Sequence, residues 1–216
     1  MSNAQIRVLL VDDHAVVRAG YHRFLEKHAD IRVVAEAEDS EQGYRAFCDH
    51  RPDVSIVDLS LPGAGGLELI RRIYTRDADA AMLVFTMHDD ALFALRALDA
   101  GAKGYVTKSN SPGVLVDAVM QVARKKIFLS PDITEQIALR RVTREQDPFS
   151  TLSGREFEIF RMLTEGQSIV EIGAVLCLSH KSIANYQTHI KQKLGVNSIA
   201  GLVHIAIKHG VIKVAS

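Results

Sequence analysis

The sequence predicts an α/β domain followed by an all-α domain, and three observations carry that expectation. Over the first 125 residues, short continuous apolar runs alternate five times with stretches of helical periodicity. Asp12-Asp13 and Asp58 stand directly after two of those runs. Beyond Ser150 the strand signals stop and four helical segments follow. Five β–α repeats joined by short loops imply a five-stranded parallel sheet covered by helices on both faces.

Taken in order, Ile6–Val11 is an apolar run broken only by Arg7, the pattern of a strand buried on both faces. Val16, Val17, Gly20, Phe24 and Leu25 then recur at helical spacing. Ile31–Ala37 is the second strand, and Ser40 is expected to cap a helix reaching about His50. Val54–Val57 is the third strand, and Leu67, Leu69, Ile70 and Ile73 mark the third helix. Residues 81–85 form a strand. Residues 91–100 form a helix ending at Gly101, a residue type suited to the position just past a helix end. A short strand over 104–106 and a helix over 111–125 complete the set.

Residues 126–150 read as a connector with one helix. They hold Pro131 and Pro148, a helical middle over 132–141 and a polar tail over 143–147. The last domain, 151–216, is expected to hold helices over 154–165, 169–176, 181–194 and 199–208.

A chain of 216 residues with 47% hydrophobic residues is long and apolar enough for one or two ordinary globular domains. No apolar run approaches the roughly 20 residues that span a bilayer, and the N-terminus passes almost at once into a strand. A cytoplasmic protein without membrane association is expected. Cys48 and Cys177 make no disulfide framework, and the nine histidines lack metal-site spacing. His22, His28 and His50 read as solvated helix residues. The zero net charge hides an asymmetry. Residues 1–149 hold 19 lysines and arginines against 22 acids, and residues 150–216 hold 7 against 4. A basic C-terminal unit points weakly to nucleic acid.

Asp12, Asp13, Asp58, Thr86 and Lys108 all fall at or just past strand ends. Ligands of open α/β sheets bind outside those carboxyl ends. A phosphoryl group in transfer spreads negative charge over three oxygens and needs cations to stabilise it. Mg²⁺ takes oxygen ligands and keeps several waters, so Asp13 and Asp58 suffice to hold it, with Asp12 orienting a metal-bound water. Asp58 can act as the nucleophile that forms an aspartyl phosphate. Thr86 can donate to the new phosphoryl oxygen, and Lys108 can pair with the carboxylate before transfer and the phosphate after it.

Residues 6–125 resemble the receiver domain of bacterial response regulators. The matching residues are Val11-Asp12-Asp13-His14, Val57-Asp58-Leu59-Ser60-Leu61-Pro62-Gly63, Phe85-Thr86 and Gly104-Tyr105-Val106-Thr107-Lys108. The resemblance implies a flavodoxin-like, doubly wound sheet, phosphorylation of Asp58 by a partner histidine kinase, and Mg²⁺ dependence. It also implies that the Ser60 backbone carbonyl completes the metal site and that Thr86 and Tyr105 form a switch pair. Three features depart from the commonest pattern. Ser109 replaces a frequent proline, so no cis peptide is expected there. The loop Gly63-Ala64-Gly65-Gly66 lacks the acid that caps the third helix. Ser60 holds a position that tunes phosphate lifetime.

In the C-terminal segment, Ser153 with Glu156 forms a capping box, and Ser168 caps the next helix. That helix contains Ile169, Ile172, Val175 and Leu176. In the third helix Ile183, Ile190 and Leu194 point inward, while Lys181, Asn185, Thr188 and Gln192, spaced by four, three and four, share the opposite face. A polar, acid-free face suits base edges, with lysines reaching phosphates. Helix, tight turn and capped helix make a helix-turn-helix. Residues 151–212 resemble the LuxR-type output domain of the NarL/FixJ subfamily. The match rests on Leu152-Ser153-x-Arg155-Glu156, Glu165-Gly166, Glu171-Ile172-Gly173, Leu178-Ser179, Lys181-Ser182-Ile183 and Ile190-Lys191-x-Lys193-Leu194-Gly195-Val196.

That resemblance places the third helix in the DNA major groove and uses the fourth for dimer contact through Ile199 and Val203. Lys181, Ser182, Ala184, Asn185, Thr188, Lys191 and Gln192 are the expected DNA contacts. Ala184 and Tyr186 stand where lysine and histidine are usual, which predicts an altered operator preference. The expected protein is a phosphorylation-dependent transcriptional regulator that dimerises on promoter DNA. Phosphatase activity is disfavoured because Ser60 stands where such enzymes carry a second acid. Only self-phosphorylation and autodephosphorylation at Asp58 are expected. A small-molecule sensor is disfavoured because it has no use for the five-residue set.

Overall fold

The structure, a computed structural model, describes residues 5–143, 148–209 and 211–212. The expected polar tail after Thr143 lies mostly outside them. The chain divides into two compact units, residues 1–144 and 145–216.

The first unit is built on β1 (Ile6–Val11), β2 (Ile31–Ala37), β3 (Val54–Val57), β4 (Met82–Thr86), β5 (Gly104–Thr107) and β6 (Phe128–Leu129). All pair in parallel in the order β2-β1-β3-β4-β5-β6. The strand order reverses at β1, which opens a crevice beyond the carboxyl ends of β1 and β3. Parallel strands buried on both faces carry few polar side chains, and every residue of β3, β4 and β5 is buried.

One face is covered by α1 (Ala15–Leu25) and α5 (Pro112–Ala123). Leu25, Leu115, Ala118, Val119 and Val122 pack there with Val8, Leu10, Ile56, Leu83, Phe85 and Val106. The other face carries α2 (Ser40–His50), α3 (Gly66–Arg76) and α4 (Ala91–Asp99). Gly43 of α2 approaches so closely that an added Cβ would lie 2.9 Å from Leu69 and 3.1 Å from Val11.

Several expectations need correction. The sheet has six strands, not five. Phe128–Leu129 lies in the stretch read as connector, and two residues are too few for periodicity to register. The helix of that stretch, α6 (Pro131–Thr143), packs on α4 within the first unit. Asp39 rather than Ser40 caps α2, because its carboxylate accepts from the Gln42 N–H at 2.8 Å. Val16 is 87% exposed despite its helical spacing. His28 lies beyond the end of α1, and His22 bonds Glu36 and sits near Glu26 rather than facing only solvent. The missing acid before α3 has the expected consequence. Gly65, at φ +83, caps the helix with no side-chain bond. Among the described residues no peptide bond is cis.

The second unit comprises α7 (Gly154–Thr164), α8 (Ile169–Leu176), α9 (His180–Lys193) and α10 (Ile199–Lys208). Their core joins Phe157, Phe160, Ile172, Leu176, Ile183, Ile190, Leu202 and Ala206. Phe149, in the stretch read as connector, is fully buried against Phe157 and Phe160, with ring centroids 5.4 and 4.9 Å away. Val175 of α8 is 58% exposed. Four serines cap the four helices: Ser153, Ser168, Ser179 and Ser198. The expected box of Ser153 and Glu156 closes, and Ser168 forms a second with Glu171; each glutamate accepts from the backbone of its cap serine at 2.7 Å.

Candidate phosphoryl and nucleic-acid sites

Three neighbouring strands and the loop after β5 deliver the first cluster. Asp12 follows β1 and Asp58 follows β3. The Asp58 N–H donates to the Val11 carbonyl at 2.9 Å, so sheet pairing itself holds the two strand ends together. Thr86 closes β4 and is fully buried, and Lys108 follows β5, its N–H donating to the Thr86 carbonyl at 2.7 Å.

Lys108 Nζ bridges the cluster, 2.6 Å from Asp12 Oδ2 and 2.5 Å from Asp58 Oδ2. All three side chains are less than a tenth exposed. Burial alone would lower the lysine's pKa. The carboxylates of Asp58 and Asp12 outweigh it, and the ammonium is held above its ordinary value. Asp58 Oδ1 accepts from the Ser60 N–H at 3.1 Å, and Asp12 Oδ1 from the His14 N–H at 2.9 Å. Both acids are thus oriented by the backbone two residues ahead. Gly66 lies close on the Asp58 backbone: a Cβ there would lie 2.0 Å from the Asp58 carbonyl oxygen.

Ligand atoms of Asp12, Asp13, His14 and Asp58 all lie within 4.8 Å of one another. His14 Nδ1 comes within 2.8 Å of Asp13 Oδ1 without hydrogen-bond alignment, leaving that buried oxygen without a bonded donor. An oxygen-rich set with an orphaned carboxylate oxygen fits a hard divalent cation such as Mg²⁺.

Two histidines beside the cluster have roles that residue patterning did not assign. His14 adjoins Asp13. His88 Nε2 hydrogen-bonds Ser60 Oγ at 3.1 Å, and its ring stacks on Phe93 at 4.2 Å. The His88 N–H reaches Thr86 Oγ1 at 3.4 Å, and its carbonyl accepts from the Tyr105 hydroxyl at 2.9 Å. His88 therefore links Ser60, Thr86 and Tyr105. Its place two residues past Thr86 was the only available signal. Tyr105 is fully buried.

In the second unit, α8 and α9 meet in a tight turn. Leu178 N–H donates to the Gly173 carbonyl at 2.9 Å, and a Cβ on Gly173 would lie 2.8 Å from the Leu178 oxygen. Cys177 takes the left-handed conformation at the turn, φ +52. Ile183 and Ile190 seal the inner side of α9, leaving Lys181, Asn185, Thr188 and Gln192 exposed together. Ser182, Ala184 and Lys191 are half-buried. Ser182 bonds the Ser179 hydroxyl, and Thr188 donates its hydroxyl proton to the Ala184 carbonyl at 3.0 Å. Glu156 accepts from Lys193 Nζ at 2.6 Å and ties α9 to α7. On α10, Ile199 is exposed and Val203 half-buried.

No helix among the described residues is long and apolar enough to cross a membrane. Residues 8–120 match the family described as response regulator receiver domain, and residues 150–206 match that described as bacterial regulatory proteins, luxR family. The response regulator UvrY of Escherichia coli K12 is 38% identical over 207 residues, covering 95% of each chain. The response regulator GacA of Pseudomonas aeruginosa is 35% identical, covering 98% of this chain and all of its own. Among solved structures, RcsB of Salmonella enterica serovar Typhimurium, bound to promoter P1flhDC in the presence of the phosphomimetic BeF3-, aligns with TM-score 0.65. It is 26% identical over 94% of this chain and 99% of that one. With both units matched and full-length relatives of this identity, the chain belongs to the two-component response regulators of the NarL/FixJ subfamily, transcription regulators that join a receiver domain to a LuxR-type helix-turn-helix domain.

Proposed function

We propose that Asp58 is the phosphoryl acceptor of this regulator and that its modification controls dimerisation and sequence-specific binding of double-stranded promoter DNA. The observation that carries this reading is the bridge from Lys108 Nζ to the Asp58 and Asp12 carboxylates at a buried strand-end crevice. An Asp58 oxygen attacks the phosphorus of a phosphohistidine on a sensor kinase. The P–O bond forms as the P–N bond breaks, and the imidazole leaves with the electron pair. Lys108 pairs with a phosphoryl oxygen in place of the free carboxylate, and the Thr86 hydroxyl donates to another. Asp12, Asp13, Asp58 and the Ser60 carbonyl are the groups that would hold Mg²⁺, whose chemistry is to neutralise charge on the transferring oxygens. Phosphorylation adds about −1.5 to −2 charge at this site, enough to bias a two-state equilibrium involving Thr86 and Tyr105.

In the second unit, Lys181 and Lys191 supply phosphate contacts, Ser182 a backbone-level contact, Asn185 and Gln192 base-edge hydrogen bonds, and Ala184 a thymine-methyl contact. Ile199 and Val203 serve the dimer. The RcsB complex supports DNA as partner and phosphomimetic loading as compatible with binding. No catalysis beyond phosphoryl transfer to and loss from Asp58 itself is proposed, and the protein acts in the compartment that holds its kinase domain and DNA.

The test compares wild type treated with beryllofluoride and Mg²⁺, untreated wild type and treated Asp58→Ala in fluorescence binding to DNA selected from a random pool. Tighter binding by treated wild type alone is expected. Equal binding by all three would remove Asp58 chemistry as the control.

A further inference from the structure

We propose that α6 is the element that reads the state of Asp58 for the DNA-binding unit, held at rest by two clamps: Asp132 on the loop carrying Lys108, and Gln136 on the start of α4. The inference rests on Asp58 being the phosphoryl acceptor.

The first clamp spans Lys108. Asp132 Oδ2 accepts from Thr107 Oγ1 at 2.9 Å, and Oδ1 accepts from Asn110 Nδ2 at 3.0 Å. These donors lie on either side of the lysine that bridges Asp12 and Asp58. Burial would raise the Asp132 pKa, but the Ser130, Asn110 and Thr107 groups turned toward it lower it, so its charged form is the one the loop holds.

The second clamp follows Thr86. Gln136 Oε1 accepts from the Ala91 N–H at 3.1 Å, and Gln136 Nε2 donates to the Asp89 carbonyl at 2.7 Å. Ala91 opens α4, so Gln136 satisfies one of the donors that a helix start leaves without an intrahelical partner. Just ahead of both clamp residues, the Ser130 N–H donates to the Tyr105 carbonyl at 2.9 Å. The segment containing α6 is therefore bonded to the backbone or flanks of all three of Thr86, Tyr105 and Lys108.

The docking is lightly built. Ile133 is the one fully buried side chain among the described residues of α6, while Leu139 is 59% exposed. With so little apolar area, the polar clamps decide whether α6 stays seated. A phosphoryl group on Asp58 draws Lys108 and the Thr86 hydroxyl toward it, shifting both loops, and its added negative charge opposes Asp132. Both effects act in one direction, toward release. α6 precedes the second unit in the chain, so its release changes what comes before the helix-turn-helix.

Full-length wild type and Gln136→Ala are compared by amide hydrogen exchange over residues 131–143 and by fluorescence DNA binding, each with and without beryllofluoride and Mg²⁺. Untreated Gln136→Ala is expected to exchange about tenfold faster or more in α6, as for loss of both Gln136 hydrogen bonds. It is also expected to bind DNA more tightly than untreated wild type. Treated wild type is expected to show the same faster exchange. If α6 exchange is unchanged by beryllofluoride while DNA binding tightens, the inference is overturned and the Asp58 reading stands. If Gln136→Ala speeds exchange but leaves untreated DNA affinity at the wild-type value, α6 carries no signal. If treatment changes neither exchange nor DNA affinity in wild type, Asp58 control and α6 release fall together. Tighter untreated binding by Gln136→Ala would then mark α6 as a brake that Asp58 does not operate, which also overturns the inference.

Discussion

Lys108 Nζ lies 2.5 Å from Asp58 Oδ2 although fifty residues separate them, and both side chains are almost sealed from solvent. The lysine is the only cation that the described structure places between the Asp12 and Asp58 carboxylates. Removing one partner of a buried ion pair leaves uncompensated charge, which costs roughly 3–5 kcal/mol. Lys108→Met is expected to lower the receiver's stability in EDTA by an amount of that order and to bind Mg²⁺ on the order of tenfold tighter, since a competing positive charge is gone. Thermal unfolding with and without Mg²⁺, with calorimetric titration, checks both; weaker Mg²⁺ binding would count against the proposed metal site.

Gly66 is needed because backbone, not a flexible side chain, stands where a Cβ would go. The Asp58 oxygen would lie at 2.0 Å and Leu59 Cα at 2.7 Å. Gly66→Ala should therefore displace the start of α3 from the Asp58 loop and cost roughly 1–3 kcal/mol. Urea unfolding of the receiver transition measures it. A loss under about 0.5 kcal/mol, the size of an ordinary surface change, would mean the loop yields freely.

Glu156 joins two devices: the α7 capping box and the bond to Lys193 of α9. Glu156→Ala should cost the second unit about 1–2 kcal/mol. Burial pushes its carboxyl pKa up, but Lys193 and Ser153 pull it below the ordinary 4.5. A depressed folded pKa means the stabilisation is present above 4.5 and is lost as pH falls through the folded value. The melting-temperature gap between wild type and Glu156→Gln should thus be widest near neutrality and close in acid below 4.5. A gap that is flat with pH would contradict the charge assignment.

On α9, Thr188 spends its hydroxyl proton on the Ala184 carbonyl, whereas no bond ties the exposed Asn185 side chain to the described protein. Asn185→Ala is expected to cost about 1–3 kcal/mol in specific DNA binding, as for a bidentate base contact. Thr188→Val should change affinity by no more than about twofold, well inside the cost of one net hydrogen bond. Quantitative gel shifts on a selected operator separate the two. A larger loss from Thr188→Val would show that the hydroxyl turns to DNA on binding.

The five β–α repeats were readable because each strand is four or more mostly apolar residues and the helices between them carry apolar residues at helical spacing. β6 was not, since two residues give no period, and its pairing with β5 is a long-range event. Asp39 displaced Ser40 as the α2 cap because cap choice depends on local dihedrals that neighbouring cap-formers share. Val16 followed helical spacing yet faces solvent, because spacing defines a stripe without saying how wide the covering surface is.

The acids, hydroxyl and lysine of the phosphoryl cluster could be named from the chain because parallel-sheet topology sends every strand end to one edge. That rule needs only element order. What required the tertiary structure was which group touches which. The Lys108 bridge, the His88 links to Ser60, Thr86 and Tyr105, and the Asp132 and Gln136 clamps join residues up to 96 positions apart. Local periodicity reports a residue's environment over a few positions. Hydrogen-bond partners across such distances are set only when packed elements fix side-chain directions in space.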